Sequence, residues 1–385
     1  MVIRVGVIGL GVPAGSFSPG QWAASAHLPS IQASPLFEIV ALANSTVESA
    51  QRSIQSNNLP PTTAAYGSAE DLAKDPNVDL VVVSVRVEKH FALARAAIQQ
   101  GKDVFVEWPL GASLQQSEQL TEMAKKAGVK TVVGVQGRSS RIVSAVKKIL
   151  ADGKIGRVVS SCVEANMSLL PVEEWWEGYE FYLDMKSGGN AFTIHFAHFL
   201  DSFVDVLGDF QTLQAGLHTQ QTTVSLINLA TREVIDPEYP RTAPDHIMVQ
   251  GQLETGAVAS IGFRHTLSSV DSVAIKWIIS GTNGEIEVLF PERLGKVGSQ
   301  WQTAHPGATL KVRVGREPEV ELVDFNAMAG PNDAVAGLSP VAMNTGLLYD
   351  AFAHGEEEKY ATFETALRTH RLLDRIARAA GAGGL

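Results

Sequence analysis

One cysteine, Cys162, occurs in 385 residues. No intramolecular disulfide can form, and a cysteine-built metal site is excluded. Positive charge is also scarce: Lys+Arg 31 against Asp+Glu 41 gives a net charge of −10. No Lys/Arg run offers the basic face that a nucleic-acid surface needs. No apolar run reaches the ~20 residues that cross a bilayer, and the opening Met1-Val2-Ile3-Arg4 reads as strand rather than secretory signal. These absences predict no nucleic-acid partner, no membrane partner and a reducing, cytoplasmic setting. What is present, 45% hydrophobic and 19% charged residues, is ordinary for a globular protein. The length predicts two domains.

Residues 2–8 form a β-branched apolar run suited to a strand buried on both faces. It leads into Gly9-Leu10-Gly11-Val12-Pro13-Ala14, a G-x-G-x-x-A pattern whose glycines let the backbone turn tightly and approach a pyrophosphate. Pro13 and residues 15–20 lengthen that phosphate loop. Ser18-Pro19-Gly20-Gln21 then reads as a helix start, with a Ser N-cap, Pro at the first helical position and Gln at N3. The helix is expected to end before Pro29, with Trp22 near its entrance as either a core or a cofactor contact.

Residues 37–43 are the second strand, with Asn44-Ser45-Thr46 at its carboxyl end. NAD-preferring folds place an Asp or Glu there for the ribose 2′-hydroxyl. None is present, so a 2′-phosphate is tolerated, Ser45 and Thr46 can donate to it, and NADP is favoured over NAD. The same residues suit an N-cap for a helix over 46–55. Residues 79–85 are the next strand, leading into Val85-Arg86, and His90 just beyond reads as a cap or a ribose contact. Residues 103–106 are a further buried strand, stopped by Glu107-Trp108-Pro109 because Pro has no N–H for the ladder. Ligands of open parallel sheets bind beyond the strands' carboxyl ends, so this tripeptide should face a cofactor. Helix 114–127 and strand 131–135, ending in Gln136-Gly137-Arg138, complete a doubly wound Rossmann sheet.

The pattern changes after residue 136, which predicts domains over 1–136 and 137–385. A helix over 142–152 precedes a strand at 158–164, then the aromatic cluster Trp175, Trp176, Tyr179, Phe181, Tyr182, a lid or pocket wall. A helix from 191 to about 206 carries His195, His198 and Asp201 on one broad face. A metal reading of that triad lacks H-E-x-x-H. A His facing the pocket as an acid/base group or hydrogen-bond donor, with Asp201 structural, is preferred. Strands over 210–217, 247–253, 257–265, 274–280, 284–288 and 309–314 predict a large, mostly antiparallel open sheet in an α+β domain. Asp245 is read as a strand-end cap. A closing helix spans 365–379, with a frayed tail to Leu385.

Gly9-x-Gly11, His27-Leu28-Pro29, Gly101-Lys-Asp-Val-Phe-Val-Glu107-x-Pro109, Gly153-x-Ile-Gly156, Gly188-Gly189 and His198-x-x-Asp201 resemble the glucose–fructose oxidoreductase/inositol dehydrogenase/MocA family over essentially the whole chain. The resemblance implies oxidation or reduction of sugars, polyols and related hydroxy compounds with NAD or NADP, and oligomerisation through the open sheet. Two positions depart. The family's catalytic Lys of Glu-Lys-Pro is Trp108, which offers an aromatic face and one N–H but no mobile proton. The Asp of Asp-x-Gly-x-His falls on Ile194. Glu107-Trp108, Gln136-Gly137-Arg138, Gln21-Trp22-Ala23 and Pro244-Asp245-His246 also resemble the fungal galactose-regulon repressor branch, which binds a dinucleotide and masks an activator's acidic segment. Three readings follow. The first is an oxidoreductase in which His198 takes the proton with Tyr182 or His195 assisting. The second is a dinucleotide-sensing regulator, which would also place the protein in the nucleus. The third is redox-neutral elimination, epimerisation or glycoside cleavage.

Overall fold

A computed structural model describes residues 2–13, 20–168, 170–292, 299–316, 318–328 and 334–385. The chain divides into two compact units, Met1–Ser139 with Pro331–His370, and Ser140–Gly330 with Arg371–Leu385. The boundary differs from the one expected at residue 136 chiefly because residues 331–370 return to the first unit.

That unit is built on six parallel strands: β1 (Ile3–Ile8), β2 (Phe37–Ala43), β3 (Ala64–Tyr66), β4 (Leu80–Val83), β5 (Asp103–Glu107) and β6 (Thr131–Gly134), in the order β3-β2-β1-β4-β5-β6. Val5, Val7, Leu80, Val82, Phe105 and Val132 share one core with Leu348, Tyr349 and Phe352 of helix Pro340–His354. The order reverses between β1 and β4, where a doubly wound sheet opens a ligand crevice.

The helix expected to end before Pro29 continues through it. Residues 21–22 are helical, Ala23–His27 form a π-helical turn, and Leu28–Ala33 resume the α-helix. Proline has no N–H for an i−4 bond and its ring crowds the i−4 carbonyl. A widened turn just before it relieves both problems. Ser18 and Pro19 of the expected cap lie outside the described residues, as does Ala14.

The second unit holds an eight-stranded sheet. Its strands are β7 (Val158–Asn166), β9 (Phe210–His218), β12 (His246–Leu253), β13 (Val258–Arg264), β14 (Val273–Gly281), β15 (Gly284–Pro291), β16 (Thr309–Val314) and β17 (Glu321–Leu322). The order is β17-β16-β15-β14-β7-β13-β12-β9, with only β7 and β13 parallel. Helix Ala197–Leu207 and the π-turn before it, Ala191–Phe196, lay aromatics on one face: Phe196 meets Phe263 at 5.2 Å and Phe199 meets Trp277 at 5.5 Å between centroids. Cys162 is exposed, as are Met248 and Val258. A separate three-stranded sheet, β11 (Val234–Pro240), β10 (Thr223–Ile227) and β8 (Glu174–Trp176), carries the aromatic cluster. The tail is not frayed: Leu385 N donates to Asp374 Oδ1 at 3.0 Å and Ala382 N to Ala377 O. Among the described residues no helix is long and apolar enough to cross a membrane.

Candidate functional site

In the first unit β1 ends at Gly9, whose φ is +99°. A Cβ there would lie 2.4 Å from Ser84 O and 2.5 Å from Val85 Cγ1. Gly20 closes the far side of the loop, since its Cβ would fall 2.2 Å from Gly11 N. Only glycine lets these backbones approach so closely. Trp22 follows, half-buried, and its Nε1 is sealed from water with no partner among the described residues.

At the tip of β2 the three polar residues divide their tasks. Asn44 Nδ2 turns inward to Leu10 O at 3.1 Å and Ser53 Oγ at 3.1 Å, tying the glycine loop to the next helix. Thr46 is the N-cap of helix Val47–Ser56, accepting from Ser49 N. Ser45 is exposed.

His90 is not available to a ribose. Its ring is 1% exposed, with Nδ1 2.7 Å from Pro109 O and Nε2 2.9 Å from Val85 O. It joins the turn after β4 to the turn after β5, and burial pushes its pKa down. Arg86, just beyond Val85, is exposed and pairs with Glu88 at 2.9 Å.

Glu107, at the end of β5, is 7% exposed. Gln136 Nε2 donates to both its oxygens at 3.1 and 3.2 Å, and His27 Nε2 lies 2.8 Å from Oε1. His27 Nδ1 is in turn 2.8 Å from the Tyr349 hydroxyl. That phenol is raised well above its ordinary pKa by burial and then by the Glu107 charge. A Cβ at Gly134 would sit 2.3 Å from Glu107 Oε2, so β6 needs glycine to admit the carboxylate. Trp108 is 5% exposed and tilts over His370 with ring centroids 4.4 Å apart. His370 Nε2 accepts from Leu110 N at 3.2 Å, and burial lowers its pKa to about 3. Glu107 and Trp108 are therefore wired into the first unit's interior.

In the second unit the Tyr182 hydroxyl is hydrogen-bonded to His195 Nδ1, and His195 stands edge-on to Trp301 with centroids 4.1 Å apart. Burial keeps Tyr182 well above its ordinary pKa. Burial, then the neighbouring His198 and His265, keep His195 well below. Both are neutral near pH 7, so the pair holds one movable proton between two heteroatoms. His198, expected as the lead base, is 4% exposed and one turn further along the helix. Asp201 is fully buried, and Asp245 is a cap: its oxygens accept from Gln220 N and Gln221 N at 2.9 and 2.8 Å. Beside this group lies Arg241, 5% exposed, which the sequence did not single out. Neither His265 nor Tyr349 was foreseen, because their partners lie far off along the chain.

Two family models match. Residues 3–135 match "Oxidoreductase family, NAD-binding Rossmann fold", and residues 142–289 match "Gal80p, C-terminal domain". A dehydrogenase of Aspergillus oryzae, aclE, is 29% identical over 99% of this chain and 97% of its own length. The galactose/lactose metabolism regulatory protein GAL80 of Kluyveromyces lactis is 30% identical over 74% of this chain and 63% of its own. The crystal structure of a super-repressor mutant of Gal80p from Saccharomyces cerevisiae superposes with a TM-score of 0.83 at 22% identity. It covers 99% of this chain and 96% of that one.

Proposed function

The chain belongs to the glucose–fructose oxidoreductase/inositol dehydrogenase/MocA family, with a Gal80-type C-terminal region. From that premise we propose that it is a nicotinamide-dependent oxidoreductase acting on a small hydroxy or carbonyl compound such as a sugar or polyol. The observation that carries this reading is the Tyr182–His195 hydrogen bond. It supplies the proton acceptor that an indole at position 108 cannot.

The first unit's residues fit a dinucleotide. Gly9 admits a backbone approach that any side chain would block, Trp22 Nε1 is an unclaimed donor, and Gly11, Ser45 and Thr46 line the same strand ends. With no carboxylate over residues 43–46, NADP is favoured over NAD. A bound nicotinamide supplies the hydride acceptor or donor. On oxidation of a substrate hydroxyl, the proton would pass to Tyr182 Oη as Tyr182 hands its own proton to His195 Nδ1. His198 stands behind as a further acceptor. A second copy covers the open face of the large sheet, around Cys162, Gln250 and Ser260.

Titration with NADP and NAD by tryptophan fluorescence, followed by a panel of sugars, polyols and sugar acids read at the reduced-nicotinamide absorbance, tests the proposal. Turnover that falls about 100-fold or more in Tyr182→Phe supports it. Tight dinucleotide binding with no turnover across the panel sinks it.

That outcome would favour a dinucleotide-sensing regulator, a reading motivated by Trp108 packing on His370 where the family keeps its Lys. Its test is capture of an acidic activation segment with and without dinucleotide. Trp108→Lys separates the two further: gained dehydrogenase activity marks a pocket that had lost one group.

A further inference from the structure

Arg241 follows β11 and is anchored by its own backbone, Arg241 N donating to Thr222 O at 2.8 Å. Its side chain is only partly satisfied. Nε donates to Ala243 O at 3.3 Å and Nη2 lies 3.4 Å from His265 Nδ1. His265 Nε2, 2.9 Å from Leu170 O, is the protonated nitrogen of a neutral ring, which leaves Nδ1 to accept from the guanidinium. Nη1, with two N–H groups, is sealed from water and has no partner among the described residues.

The one nearby anion does not complete it. Asp245 is occupied by Gln220 N, Gln221 N and His246 Nδ1, and acts on Arg241 only through space. A desolvated guanidinium arm without an acceptor is costly, and such a group points to a partner that completes it. Arg241 is also close enough to Tyr182 for each to shift the other's proton affinity. Tyr182 stacks on Trp175 with centroids 5.4 Å apart and hydrogen-bonds His195. The open donor thus belongs to the same cluster as the proton-transfer pair.

We propose that the ligand of the second unit carries a carboxylate, held by Arg241 through Nη1, so that the substrate class is hydroxy or oxo monocarboxylates such as sugar acids rather than neutral sugars. One cation, with Asp245 already nearby, matches a single negative charge better than a doubly charged phosphate. This deepens the oxidoreductase reading and rests on it for the chemistry at Tyr182–His195, while the binding step is separable.

The test is calorimetric titration of the full chain, preloaded with NADP, with D-gluconate and D-galacturonate against D-glucose, D-galactose and D-glucose 6-phosphate. The acids are expected to bind at least about tenfold more tightly than the neutral sugars. Arg241→Met should erase that preference, and Arg241→Lys should restore part of it. Thermal unfolding of each variant checks that the fold survives. Acids that bind no better than neutral sugars, no binding by any acid, or unchanged acid binding in Arg241→Met would overturn the proposal. Binding of the phosphate ester alone would overturn it in favour of a phosphoryl site. Heat of binding needs no turnover. Acids held through Arg241 without hydride transfer would therefore uphold the carboxylate site and sink the oxidoreductase reading, and turnover of neutral sugars alone would do the reverse.

Discussion

A buried polar cluster of the first unit can be set beside one of the second, and the two are finished to different degrees. In the first, Glu107 accepts from Gln136 and has His27 Nε2 at an ion-pair distance of 2.8 Å, off hydrogen-bond geometry, while Tyr349 holds the other ring nitrogen of His27. In the second, Tyr182 pairs with His195 and Arg241 with His265, but Arg241 keeps a donor arm unclaimed. A matched network favours one packing of its strands, whereas an open donor is a cost that a bound partner offsets. On the proposed reading, the difference separates a scaffold for the dinucleotide end from a recognition site. It can be broken by experiment.

The largest effect is expected at Glu107. Glu107→Ala leaves Gln136 and His27 buried without their acceptor, and loss of one partner of a buried charged network costs about 3–5 kcal/mol. Tyr349→Phe, which removes one neutral hydrogen bond, should cost only about 1 kcal/mol. Urea unfolding measures both. If Glu107→Ala costs less than Tyr349→Phe, the closed cluster does not hold the unit together.

Acid should act next most strongly, through histidines kept neutral by burial. His370 falls from 6.5 to about 3 in the folded chain. Between those values the unfolded state binds the extra proton. Its contribution is therefore complete above about pH 6.5 and is lost as pH falls, at up to about 1.4 kcal/mol per pH unit. His195 and His265, also lowered by burial, act in the same direction. Comparing urea midpoints at about pH 7.5 and about pH 5, His370→Gln should lose about 2 kcal/mol less than the parent chain. An equal loss would show that His370 is not the buried neutral group described.

How much of this was legible follows from where the signals lie. Five of the six first-unit strands were readable because each is a short apolar run, and helix Leu114–Ala127 because Ser113 and Gly128 cap it, whereas the three half-buried residues of β3 gave no such run. The doubly wound sheet and the large, mostly antiparallel second sheet followed from alternation alone. Helix Pro340–His354 was missed although Ser339, Pro340 and Gly355 punctuate it. Its buried residues, among them Ala342, Asn344, Thr345, Gly346 and Leu348, leave no polar stripe to reveal a period. β10 and β11 escaped because β11 is mostly exposed and carries two prolines. At the site, Tyr182 and His195 were found as neighbours in sequence, but Tyr349 is 322 residues from His27, and no local pattern encodes such a pairing. The two alternatives for His90, cap or ribose contact, could not be decided for a similar reason, since the Pro109 carbonyl beside its ring is reached only in the folded sheet.

The smallest effect on stability is expected at Arg241, and its smallness is the point. Arg241→Met removes one hydrogen bond to Ala243 O and one long contact with His265. It also removes a desolvated charge and two unsatisfied N–H groups. Asp245 stays satisfied by two backbone amides and His246, so no new orphan carboxylate appears. Replacing an incompletely paired buried charge by an apolar side chain of similar length is often neutral or stabilising. The unfolding free energy should then change by less than about 1 kcal/mol in either direction, against about 3–5 kcal/mol at Glu107. A loss as large as that at Glu107 would mean that Arg241 holds the second unit together as Glu107 holds the first, and the contrast between a closed and an open cluster would fail.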